Sequence, residues 1–137
     1  MLSIRMLLVV ALAAFLLSAC ETINKTAGGL FKNNPFEAGP AEQKLASGVK
    51  SYEEGDYKSS QAALQDSLNM GLSSKGDKIM AHKYLAFIDC VSGYEKQCRD
   101  EFKKVLEIDQ TFDLKPAEAG HPIWGPVFRS VKDKSAK

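Results

Sequence analysis

Few of the residues that carry enzyme and metal chemistry are present. Of 137 residues, three are cysteine, two are histidine and one is tryptophan. Neither His82 nor His121 has a second ligand at metal spacing, so no metal centre is expected. His82, beside Ala81 and on the same helix as Leu85, reads as a packed or rim residue, and His121, between Gly120 and Pro122, as a turn residue. The serines are scattered with no nucleophile-elbow motif around any of them, and no catalytic residue is assigned. Gly28-Gly29 has no strand before it and no clear helix after it, which argues against a phosphate loop. Charge of one sign is missing too: 18 basic and 17 acidic residues leave a formal net charge of +1. Nucleic-acid binding needs a basic footprint that this balance does not supply. These absences point away from an enzyme, from a cofactor and from a small-molecule substrate.

A long apolar run is also missing. The longest, Met6 to Leu17, is 12 residues, short of the roughly 20 that span a bilayer as a helix. It follows a single Arg5 and ends in Leu17-Ser18-Ala19-Cys20. These proportions are those of a signal peptide, and the pattern resembles a bacterial lipoprotein signal. That resemblance implies removal of residues 1–19 and lipidation of Cys20, with membrane attachment through acyl chains and not a transmembrane helix. Glu21 follows the cysteine where Asp commonly marks inner-membrane retention, so the outer membrane, facing the periplasm, is expected. The 118 residues from Cys20 onward suffice for one small domain.

Residues 20–41 read as a flexible tether, rich in Thr, Asn, Gly and Pro. Its apolar cluster, Leu30, Phe31 and Phe36, either packs on the domain or the membrane surface or serves as a docking segment. Helical spacing then begins. Leu45, Val49 and Tyr52 precede Gly55-Asp56-Tyr57, and Ala62, Ala63, Leu64 and Leu68 follow it. Gly55 supplies a positive φ for the turn and Asp56 a cap for the next helix. A second unit starts near Lys78, with Ala81, Leu85, Ala86, Phe87, Ile88 and Val91 before Ser92-Gly93 and Phe102, Val105, Leu106 and Ile108 after it.

The two units overlay without gaps at an offset of 38 residues. Gly48 falls on Ala86, Gly55 on Gly93, Ser60 on Cys98, Leu64 on Phe102, Ser67 on Val105 and Leu68 on Leu106. Small residues recur where helices must approach closely, and large ones where a core must be filled. The chain contains an internal repeat.

The order of small residue, turn glycine, small residue and large residue in SYEEGDYKSSQAALQDSL (residues 51–68) and its surroundings resembles the tetratricopeptide repeat. VLEIDQTF (105–112) resembles the usual ending, with Gln110 in place of the customary proline. Two departures stand out: His82 replaces a common tryptophan, and Gly71 to Asp77 lengthen the connection between units. The implied fold class is all-α over 42–137: two tetratricopeptide-like hairpins and a C-terminal cap. For the cap, Pro116 and Glu118 suggest a short turn, and Ile123, Val127 and Val131 line one side of a helix that Trp124 and Phe128 join. Gly125-Pro126 weakens its first turn.

An oxidising periplasm favours pairing of the remaining cysteines, and the overlay puts Cys90 and Cys98 on facing helices of one hairpin. A disulfide is expected there, with two free thiols as the other reading. In the resembled family the first helix of each hairpin lines a partner-binding groove. By position this implies Leu45, Val49, Tyr52 and Glu53 from the first unit and Lys83, Phe87 and Val91 from the second. The other reading buries Tyr52 and Phe87 beneath the tether or the terminal helix.

The stretch from His82 to Phe128, HKYLAFIDCVSGYEKQCRDEFKKVLEIDQTFDLKPAEAGHPIWGPVF, is similar to small lipoproteins associated with type VI secretion, the TssQ family. The resemblance implies a non-enzymatic adaptor that binds a protein partner near a secretion apparatus. Two alternatives stay open: a pilotin-like or outer-membrane assembly lipoprotein, and a structural envelope-maintenance protein without an open groove.

Overall fold

A computed structural model describes residues 38–135, which lie in one compact unit. Residues 1–19, Cys20 and the tether up to residue 37 lie outside the described residues. The described residues contain no strand and six helices: α1 (Pro40–Glu53), α2 (Tyr57–Met70), α3 (Lys75–Val91), α4 (Glu95–Ile108), α5 (Pro116–Ala119) and α6 (Trp124–Ser135). The protein is all-α in this region. None of these helices is long and apolar enough to cross a membrane.

The helices pack in sequential pairs, α1 on α2 and α3 on α4, with α3 also against α1 and α2, and α6 laid over α3 and α4. Each pair turns on a glycine with left-handed backbone, Gly55 at φ 80° and Gly93 at φ 81°, a region where a side chain is strained. Residue size then sets how closely the helices approach. Gly48 of α1 is buried against α2, and a Cβ there would sit 2.8 Å from the Leu64 side chain. Ser60 Oγ donates to the Gly48 carbonyl at 2.7 Å, so the buried hydroxyl is satisfied where the helices come closest. In the second pair Ala86 and Cys98 occupy the matching small positions, and Phe102 fills the place of Leu64; all three are buried.

Two apolar clusters result. One joins Ala41, Leu45, Leu64, Leu72, Ala81, Leu85 and Ile88. The other joins Phe87, Phe102 and Leu106 to Leu114, Trp124, Phe128 and Val131 from the C-terminal segment. Tyr52 and Tyr84 pack against both.

Several boundaries differ from expectation. α1 begins at Pro40, two residues before the expected 42, because proline at the first helical position has a suitable φ and no N–H to satisfy. α3 begins at Lys75 and not near Lys78, because Ser74 caps it by accepting from Asp77 N at 2.9 Å. The extra length between the units is therefore largely an added turn of helix, and only residues 71–74 connect α2 to α3. Ala62 is exposed. In α6 the buried stripe is Trp124, Phe128 and Val131, whereas Ile123 lies outside the helix and is 47% exposed. Gly125 makes this possible: it is buried so tightly on the Ala119 carbonyl that a Cβ would collide with it.

Candidate partner-binding groove

The seven positions expected to line a groove divide into two groups. Leu45 forms the buried floor of a shallow depression of about 360 Å³ between α1 and the start of α3, beside half-buried Val49 and exposed Glu53. Ala46, Lys50 and Glu42 complete the α1 side, and Asp77 and Met80 form the α3 side. Tyr52 is half-buried and packs against Tyr84 and Phe87. Lys83, Phe87 and Val91 are not open to a partner. Phe87 is 2% exposed and stacks on Trp124, with ring centroids 4.4 Å apart. Lys83 is buried and bonds Glu118 at 2.5 Å. Val91 packs, partly buried, against the same core cluster.

The C-terminal segment causes this correction. α5 is a single turn begun by Pro116, and Glu118 caps it by accepting from Lys115 N at 3.1 Å. The other Glu118 oxygen takes the Lys83 ammonium, and Trp124 Nε1 donates to the Glu118 carbonyl at 2.8 Å. His121 lies flat against Trp124, their planes within 2°. The part of α3 around Lys83 and Phe87 is thus covered by the C-terminal segment, with Glu118 lying 35 positions beyond Lys83.

Two further residues escaped sequence reasoning: Met80, which lines the depression, and Tyr84, which packs on Tyr52. Met80, Tyr84, Phe87 and Val91 follow 4-3-4 spacing on α3, a signal sufficient to find the first two. Tyr52 meets Tyr84 edge-on at 4.9 Å between centroids and Tyr57 at 5.5 Å. Burial pushes the Tyr52 hydroxyl up to about 12, with Tyr57, Tyr84 and Glu118 adding to the effect. Tyr84 is raised in the same way by burial, then by Glu118 and Glu53. The Tyr52 and Tyr84 phenols are therefore neutral at physiological pH.

A second set of polar groups lies where α2, α3 and α4 meet. His82 Nδ1 is 2.6 Å from Glu101 Oε2, Lys104 donates to the other Glu101 oxygen at 2.7 Å, and Gln61 Nε2 donates to Asp89 Oδ1 at 3.1 Å. Burial pushes Glu101 up, but hydrogen bonds from His82 and Lys104 outweigh it and hold the carboxyl below its ordinary value. Asp89 has only Gln61, and burial with Glu101 nearby pushes it up to about 6 against the opposing charge of Lys104. Among the described residues no group of three or more His, Cys, Asp or Glu is arranged to hold a metal.

Cys90 and Cys98 are joined as a disulfide, with Cα atoms 5.1 Å apart. Cys98 is fully buried and Cys90 is 7% exposed, both within the cluster that includes Phe102 and Trp124. Cys90 therefore turns toward α4.

Comparison with known proteins found no family model, no curated protein and no solved structure that matches the chain.

Proposed function

We propose that this chain is a lipoprotein, anchored through Cys20 to the periplasmic face of the outer membrane. Its tetratricopeptide-like domain acts there as a non-enzymatic adaptor for a protein partner, in an accessory role at a type VI secretion apparatus. The observation that carries the adaptor reading is the depression between α1 and α3, left open among the described residues, with Leu45 and Val49 as its apolar floor. Matched turn glycines and matched buried positions in the two helix pairs support the repeat reading. The lipid anchor rests on the residues around Cys20. A domain with recognition surface and no catalytic set acts through where it is held.

One observation favours a second reading. The C-terminal segment covers Lys83 and Phe87, as a structural envelope-maintenance protein would allow. Photocrosslinking in intact cells separates the two. A crosslinker at Ala46, in the depression, is expected to capture one envelope protein, and a crosslinker at Ser59 on α2 is not. Cys20→Ser should abolish the crosslink and move the protein from the membrane to the soluble fraction. Identical products from both positions would sink the adaptor reading, and retention of the Cys20→Ser protein on membranes would sink the anchor.

A further inference from the structure

The depression between α1 and α3 has a chemical bias that the adaptor reading, on which this inference rests, does not specify. Its lining holds three carboxylates, Glu42, Glu53 and Asp77, against one ammonium, Lys50. That ammonium is engaged with Glu54 at 3.8 Å. Glu42 is held by Ser73, whose hydroxyl donates to it at 2.9 Å. Among the described residues neither Glu53 nor Asp77 forms an ion pair. The two differ in what the backbone does for them. Asp77 lies in the first turn of α3, where the helix dipole stabilises a negative charge. Glu53 is the last residue of α1, where the carbonyl ends already concentrate negative potential. It is a carboxylate in an anionic setting with no cation of its own.

Glu53 follows Tyr52 at the end of α1 and is close enough to Tyr84 to help raise its phenol, and Tyr84 packs on Tyr52 with ring centroids 4.9 Å apart. The chain shows next door what such an arrangement holds. Lys83 Nζ lies 4.9 Å from the Tyr84 ring centroid and 5.5 Å from that of Phe87, and its charge is met by Glu118. Aromatic rings and one carboxylate make a seat for an ammonium there, with cation–π attraction adding to the ion pair. Glu53 acts on the same Tyr84 phenol, and among the described residues it pairs with no ammonium.

We propose that the groove recognises a cationic partner segment. One Lys or Arg side chain pairs with Glu53 at the rim, and a neighbouring apolar side chain enters the depression floored by Leu45 and Val49 and walled by Met80. The apolar contact supplies part of the affinity, and the charge selects the partner and speeds its encounter. A segment bearing carboxylates at the same positions would meet like charge on an already negative rim and be rejected.

The test uses the full chain in detergent with two fluorescein-labelled 12-residue peptides, one alternating arginine with leucine and one alternating glutamate with leucine. Anisotropy is expected to show the arginine peptide binding at least about tenfold tighter at low salt, with the gap closing as salt screens the exposed rim. Glu53→Lys should remove that preference, and Val49→Asp should weaken the arginine peptide through loss of the apolar seat. Glu53 is exposed, but Val49 packs partly buried on the Leu45 cluster, so unaltered circular dichroism must verify its fold, and Ala46→Asp at an exposed lining position serves as the second variant of the apolar seat. Equal affinity for the two peptides, or a preference that survives Glu53→Lys, overturns the cationic assignment while leaving the adaptor reading intact. No binding of either peptide overturns the cationic assignment, and the further absence of any Ala46 crosslink overturns the adaptor reading as well. A dimer of the chain that Glu53→Lys dissolves would give the groove to a second copy and overturn the assignment to a partner.

Discussion

Asp89 is the residue whose chemistry departs furthest from its exposed counterpart. It is 5% exposed on α3, accepts one bond from Gln61 of α2, and is faced by Glu101 and Lys104 of α4 with His82 near Glu101. Its carboxyl is raised from 3.8 to about 6, so the folded state holds the proton more tightly than the unfolded chain does. The stability this confers is fully present below pH 3.8 and is lost as pH rises through about 6. Asp89→Asn keeps an acceptor for Gln61 and removes the titration. It is expected to stabilise the fold by about 1–3 kcal/mol at pH 7.5 and to be close to neutral near pH 4. Urea unfolding of both proteins at the two pH values checks this, and a gain of equal size at both would contradict it. Nothing in the local sequence marks Asp89 as unusual, because its environment is assembled from three helices.

At the scale of the element, the pairing of helices was legible and the ends were less so. Gly55 and Gly93 announce their turns because only glycine readily holds φ near 80°. Gly48 and Ser60 announce a close crossing because larger residues would collide there. The start of α3 was misplaced because Ser74 and Asp77 formed a cap within a stretch that reads as a loop. The α3–α4 pair is further tied by the Cys90–Cys98 disulfide, with a sequence separation of only eight. Closing so short a loop contributes about 2.5 kcal/mol by chain entropy. Reduction, or Cys98→Ser paired with Cys90→Ser, should lower the thermal midpoint by about 10 °C or more for a domain of this size. An unchanged midpoint in dithiothreitol, with thiol labelling to verify reduction, would show that packing alone carries this helix pair.

The whole molecule depends on the C-terminal segment closing over the second pair. Trp124, the chain's one tryptophan, is 9% exposed between Phe87 and His121 and anchors that segment. Trp124→Ala should cost about 3–5 kcal/mol through the lost burial and the cavity left against Phe87. Denaturant unfolding followed by circular dichroism would measure it. The wild-type tryptophan offers a second readout, because its emission reports the cap alone. A cost near zero would mean that the segment rests on the second pair without supporting it. Periodicity, turn glycines and small residues at close crossings are local signals, so the sequence by itself determined that the chain forms paired helices with a repeated core, and its cysteine spacing suggested their bond. Which of the expected groove positions the C-terminal segment covers was decided only by tertiary structure. Lys83 and Phe87 sit on the expected face of α3, but their partners Glu118 and Trp124 lie more than thirty residues away. Contacts at that range depend on how the chain turns between Asp109 and Trp124, and helical periodicity carries no information about that path.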